Sequence, residues 1–122
     1  MSRQDLKHGE VAVGIVLEQM VFDRDRLGYS TMNDRALQRE VLGLFGDQLQ
    51  ETRDKLKTKI VSAQDRKFLS HNLRGAASAV GALQIEELAR SWENVNYDPA
   101  VLSALLEQAE TAFVHETKAI FA

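Results

Sequence analysis

The chain has 122 residues, which is enough for one domain and too few for two domains of ordinary size. Hydrophobic residues make up 44% of it and charged residues 27%, a balance typical of a soluble globular protein rather than a disordered one. The absence of cysteine excludes disulfides and thiolate chemistry, and the longest apolar stretch, residues 11–17, is too short to span a membrane. We therefore expect a soluble domain with no secretory signal and a cytoplasmic location.

The net charge of −3 is unevenly distributed along the chain. Residues 83–122 carry seven acidic and two basic side chains, whereas residues 53–74 carry seven basic and two acidic side chains. The basic segment is either a solvated helix surface or a surface that attracts an anionic partner. Its cations are scattered around the predicted helix and no aromatic platform accompanies them, so we expect no nucleic-acid binding.

The first 21 residues form an N-terminal extension that the pattern does not resolve. Its apolar stretch, residues 11–17, is compatible with a strand or with part of a helix. A short helix is predicted at Asp23–Leu27, and Gly28 is expected to end it. The extension and this helix together predict a short additional element ahead of the main helices.

The next segment predicts a long amphipathic helix. It begins after Asn33 or Asp34, either of which can cap a helix. Apolar residues recur at three- and four-residue spacings on one face: Leu37, Val41, Leu44, Phe45, Leu49 and Leu56. Gly43 and Gly46 lower the helicity by about 1 kcal/mol each relative to alanine, so packing is expected to compensate.

Three further amphipathic helices follow at once. Ser62 is a predicted N-cap, Gly81 a predicted stop, and Asp98-Pro99 a predicted start after a loop at residues 94–98. Four amphipathic helices joined by short connections predict an all-α fold, namely an antiparallel four-helix bundle over residues 22–122.

One helix, which begins after Ser62, carries the informative residues. At about 100° per residue, its apolar side chains lie within about 80° of Leu69 and define the core side: Leu69, Leu73, Ala76, Ala77 and Val80. His71 lies nearly opposite, and Lys67, Arg74, Gly75 and Ser78 share its outward side. A glycine inside a helix is costly, so we interpret Gly75 as room for another group to approach the imidazole.

These residues together resemble the signature of the histidine-containing phosphotransfer (HPt) domain family. The signature has a histidine, an apolar residue two positions later, a lysine or arginine at three, a glycine at four, and Gly-Ala at ten and eleven. His71, Leu73, Arg74, Gly75 and Gly81-Ala82 match every position, with arginine in place of the more frequent lysine. The resemblance covers residues 22–121.

The resemblance implies a phosphoryl carrier rather than an ATP-using kinase. Such a domain accepts a phosphoryl group on its histidine from the aspartyl phosphate of a receiver domain and passes it to another receiver. The implied partners are the receiver domains of response regulators or hybrid histidine kinases, and the implied form is a monomer. The chain itself needs no cofactor, since Mg²⁺ belongs to the receiver. The alternative is a helical-bundle adaptor that binds receivers without being phosphorylated.

The resemblance also assigns roles to individual residues. Nε2 of His71 is the nucleophile, Arg74 reaches the phosphoryl oxygens, and Gly75 leaves room for the partner. Lys67 adds positive field or only solubility. Ser78 is a candidate supporting hydrogen-bond donor, but it lies about 10 Å along the helix axis from His71, so we expect no direct contact with the phosphoryl group.

Further residues are expected to support or surround the site. Glu93, on the following helix, either accepts a hydrogen bond from Nδ1 of the imidazole or is solvated. Phe68, Leu27 and Met32 are candidates for receiver contact, although each is also expected in the core. The other histidines, His8 and His115, are interpreted as surface residues; no pair has metal-ligand spacing, so no metal site is expected.

Overall fold

The computed structural model describes residues 19–58 and 62–121, and these residues contain five α-helices and no strand. The helices are α1 (Arg24–Thr31), α2 (Arg35–Thr58), α3 (Ala63–Val80), α4 (Leu83–Asn94) and α5 (Pro99–Lys118), followed by a 3₁₀ turn at Ala119–Phe121. The prediction of an all-helical fold is confirmed. The apolar stretch at residues 11–17 lies outside the described residues.

The four longer helices surround one apolar core. Helix α2 packs against α3 and α5, and α4 also packs against both of these, so the contacts close into a ring. Short α1 lies against α2 and α3. Phe113 in α5 meets the rings of Phe22 and Phe45 edge-on, at centroid distances of 5.5 and 5.7 Å. No helix in residues 19–58 and 62–121 is long and apolar enough to cross a membrane.

The predicted signals at the ends of α3 and α5 are confirmed. The hydroxyl of Ser62 accepts a hydrogen bond from the Asp65 backbone N–H at 3.1 Å, and Asp98 caps α5 ahead of Pro99. Gly81 ends α3 with φ of 76°, in the left-handed region that favours glycine. The two-residue connection from Gly81 to α4 fixes these helices side by side, and α3 packs most extensively on α4.

The start of the fold differs from the prediction in one respect. Helix α1 does not end at Gly28 but continues to Thr31, and Met32 closes it with φ of 52°. Gly28 is buried inside the helix, where a Cβ would lie 2.5 Å from the side chain of Asn33. Glycine is therefore used here for close packing rather than to stop the helix. Asp34 caps α2, since its carboxylate accepts from the Leu37 N–H at 3.0 Å.

The glycines of α2 are not explained by close packing. A Cβ added at Gly43 or Gly46 would meet no atom within 4 Å. Both instead line an apolar groove of about 280 Å³ between α2 and α5, whose walls include Phe45 and Phe113. The compensation expected from packing comes from other residues of α2, since its Phe45, Leu49 and Leu56 are buried in the core.

Candidate functional site

The two faces of α3 differ as the sequence predicts. Leu73 and Ala77 are fully buried and Val80 nearly so, whereas His71 on the opposite side is exposed. Ser70, which precedes His71, is also fully buried, and its hydroxyl donates to the Lys67 carbonyl at 3.2 Å. This bond satisfies the buried hydroxyl within its own helix, so Ser70 needs no partner on another helix.

Open space lies one helical turn beyond His71. Gly75 is exposed, and a Cβ placed on it would meet nothing within 4 Å. The fold itself therefore does not require glycine at this position. Because residues four apart lie on the same helical face, the missing side chain leaves the surface beside the imidazole open to a second molecule.

Arg74 is held by the neighbouring helix. Its Nη1 donates to Oε2 of Glu93 at 3.2 Å, and both side chains are partly exposed. The other carboxylate oxygen of Glu93, Oε1, is buried and has no hydrogen-bond partner. Glu93 is thus only partly exposed, and no described hydrogen bond joins it to His71. Its partner is the guanidinium that the sequence assigns to phosphoryl binding.

Ser78 belongs to a separate polar cluster further along α3. Nη1 of Arg26 donates to Glu86 at 2.9 Å and, more weakly, to the Ser78 hydroxyl at 3.4 Å. Ser30 reinforces the same junction by donating to the Ala79 carbonyl at 2.7 Å. These contacts join α1, α3 and α4, so Ser78 has a structural role in holding α1 against the other two helices.

Three large apolar side chains are exposed on α3 and around α1. Phe68, one turn before His71, is 65% exposed, so the expectation that it lies in the core is wrong. Met32 is also exposed, at 84%, whereas Leu27 is fully buried as expected of a core residue. Tyr29 is 90% exposed, and the sequence analysis did not include it among the candidates for receiver contact. A helical wheel continued past Gly28 would have placed Tyr29 opposite Leu27, away from the core.

The basic segment is partly neutralised within the fold. Arg53 pairs with Glu110 across α2 and α5, just as Arg74 pairs with Glu93 across α3 and α4. Lys67 is exposed beside His71 on the outward side of α3. Lys59 lies outside the described residues. The positive charge that remains near His71 is therefore smaller than the sequence count indicates.

The remaining histidines are separate from this site. His115 is exposed on α5, as expected, and His8 lies outside the described residues. Within residues 19–58 and 62–121, no group of three or more His, Cys, Asp or Glu side chains is placed to hold a metal ion. The candidate site is consequently the outward face of α3, with His71, Arg74 and Gly75 at its centre and Glu93 behind Arg74.

Comparisons of the chain with protein-family models, curated proteins and solved structures find no match. The resemblance to histidine-containing phosphotransfer domains therefore depends on the residues around His71 and on their positions in the fold.

Proposed function

We propose that this protein is a histidine phosphotransfer protein of a two-component phosphorelay. The observation that carries the proposal is the exposed imidazole of His71 at the middle of α3, with open space at Gly75 one turn away. A phosphoryl carrier needs a nucleophile that a bulky partner can reach, and Gly75 provides that access without serving any packing purpose.

The transfer uses the lone pair on Nε2 of His71, which attacks the phosphorus. The bond between phosphorus and the aspartyl oxygen of the receiver breaks, a carboxylate leaves, and a bond between phosphorus and Nε2 forms. The receiver brings Mg²⁺, and Arg74 and Lys67 contribute positive field to the phosphoryl oxygens.

The receiver docks on exposed apolar residues at α3 and α1. Phe68 lies one turn before His71, Tyr29 lies beside Ser78 and Ala79 further along α3, and Met32 is exposed at the end of α1. Aromatic residues and methionine are enriched where proteins bind one another, and exposed ones near a reactive group favour a docking role. We propose that the receiver covers this surface while its aspartate meets His71.

We propose that helices α2 to α5 form an antiparallel four-helix bundle that carries the site, with α1 covering one end. The closed ring of helix contacts supports this arrangement, as do the short connections between α3, α4 and α5. In such a bundle the middle of α3 is a rigid platform, and a rigid platform holds the imidazole where an in-line approach is possible.

The experiment is a transfer assay with a panel of receiver domains carrying radiolabelled phosphoryl groups. Wild type and His115→Gln are expected to take up acid-labile label from at least one receiver, whereas His71→Gln takes up none. His115→Gln is the matched control, because it removes another exposed imidazole. Equal labelling of wild type and His71→Gln, or no labelling of either, contradicts the proposal. Receiver binding without labelling would instead support the adaptor alternative.

A further inference from the structure

The ion pair between Arg74 and Glu93 bears on how well the site stabilises a phosphoryl group. Nη1 of Arg74 is committed to Oε2 of Glu93 at 3.2 Å, and the pair bridges α3 and α4. Arg74 therefore does not act as a free cation beside His71. This inference rests on the proposed function, since it concerns the phosphorylated form of the same histidine.

The second carboxylate oxygen of Glu93 does not take part in the ion pair with Arg74. Oε1 is buried without a hydrogen-bond partner. A buried carboxylate oxygen without a partner is costly, so a fold that only needed to fasten α3 to α4 would be better served by a fully bonded side chain. The carboxylate thus contacts Arg74 through Oε2 and has no second hydrogen bond to hold it in place.

A phosphoryl group on His71 would carry about two negative charges. It attracts the guanidinium of Arg74, but the ion pair with Glu93 holds that guanidinium toward α4. The phosphorylated state of this histidine is therefore stabilised less than it would be beside a free arginine.

We infer that Glu93 is a positioning residue that limits how far Arg74 stabilises phosphorylated His71, and so makes His71 a readily discharged phosphoryl donor. Removing the carboxylate charge should release Arg74 toward the phosphoryl group. The equilibrium then moves toward phosphorylated His71 by about fivefold, which corresponds to the guanidinium charge brought to a partly screened separation from the phosphoryl group.

The test uses phosphoramidate, a small phosphoryl donor that requires no receiver. The P–N bond of phosphoramidate breaks, ammonia leaves, and a bond between phosphorus and the imidazole forms. With phosphoramidate and ammonia held at fixed concentrations, phosphorus NMR measures the ratio of phosphorylated to free His71. His115 reacts in the same tube and serves as an internal reference.

Glu93→Gln should raise the His71 ratio about fivefold and leave the His115 ratio unchanged, and Glu93→Asp should stay close to wild type. In an Arg74→Gln background the effect of Glu93→Gln should disappear, because Glu93 acts through Arg74. An unchanged ratio in Glu93→Gln, or an effect that persists without Arg74, overturns the inference.

Thermal unfolding of each variant shows whether a changed ratio arises from lost structure. A shift in the His71 ratio that follows only from partial unfolding overturns the inference as well. Failure of the proposed function has a different signature. Phosphoramidate then phosphorylates His71 and Glu93→Gln raises the ratio of phosphorylated to free His71, while no receiver transfers label. Wild type in which phosphoramidate loads only His115 would overturn both.

Discussion

The two glycines of the α3 signature serve opposite purposes. Gly81 is required by the fold, since its φ is 76° and a Cβ there would lie 2.2 Å from the Asp23 carbonyl oxygen. Gly75 is not required, since a Cβ there would meet nothing within 4 Å. Gly43 and Gly46 on α2 are likewise open, so Gly75 points to a second molecule through its place one turn from the exposed His71. This contrast supports reading the face around His71 as a contact site.

The largest effect on stability is expected from replacing Gly81, the glycine that the fold requires. Gly81→Ala should lower the free energy of unfolding by about 3 kcal/mol, because the new methyl group must adopt a left-handed conformation and displace the Asp23 backbone. Urea unfolding followed by circular dichroism measures the change. A loss below about 0.5 kcal/mol would show that the turn relaxes freely and that the contrast is not real.

Gly75→Ala tests the glycine that the fold does not require, and it should change the free energy of unfolding in the opposite direction. Alanine in an open helical position should raise the free energy of unfolding by about 1 kcal/mol. The same methyl group should slow phosphoryl transfer from a receiver, because it enters the space that the partner needs.

Gly43→Ala is the matched control for Gly75→Ala. It also places a methyl group where no atom lies within 4 Å, but on α2. It should stabilise the protein by a similar amount, about 1 kcal/mol, and leave transfer unchanged. Equal transfer rates for wild type and both variants would remove Gly75 from the site.

Tyr97 is a polar residue that we expect to affect stability and not phosphotransfer. Burial raises the pKa of its phenol above the ordinary value, and the hydrogen bond with Ser91 partly opposes this. The folded state thus favours the neutral phenol. The stability it contributes is complete below pH about 10, the ordinary phenol pKa, and is lost as pH rises through the folded-state pKa.

Tyr97→Phe should remove both the hydrogen bond to Ser91, at 2.5 Å, and this alkaline sensitivity. We expect a loss of about 1 kcal/mol at neutral pH, a flatter stability profile above pH 10, and unchanged phosphotransfer. Unfolding measured from pH 7 to 11 and the receiver assay check these results. An equally steep alkaline loss in Tyr97→Phe would show that another group causes it.

The smallest stability effect is expected on the exposed docking surface. Phe68→Ser removes a side chain that is 65% exposed and should change the free energy of unfolding by less than about 0.5 kcal/mol. Binding to the cognate receiver should weaken by about fivefold, because apolar contact area is lost. Val101→Ser, at an exposed position on α5, is the control and should leave binding unchanged.

The sequence predicts most of the fold because the signals are local. The residues that begin or end helices, Ser62, Gly81 and Asp98, act on backbone groups a few residues away. Helix ends can therefore be predicted from the local sequence. Gly28 misleads because a glycine can also sit inside a helix when a neighbour, here Asn33, comes close. That contact depends on the turn after α1, which the local pattern does not describe.

The site is predicted in part for the same reason. The exposure of His71 and the burial of Leu73 follow from the helical repeat of α3. The pairing of Arg74 with Glu93 does not, because the two residues are 19 positions apart and meet only when α3 packs against α4. Composition likewise overstates the free positive charge, since Arg53 and Arg74 both find acidic partners on other helices.

The most direct test of the account is to locate the phosphoryl group after transfer from a receiver. Two-dimensional phosphorus–proton NMR of the labelled protein, with His8→Gln and His115→Gln variants for assignment, identifies the modified ring and nitrogen. The account predicts a single phosphoryl group on Nε2 of His71. A group on His8 or His115, or no phosphohistidine after exposure to the whole receiver panel, would contradict it.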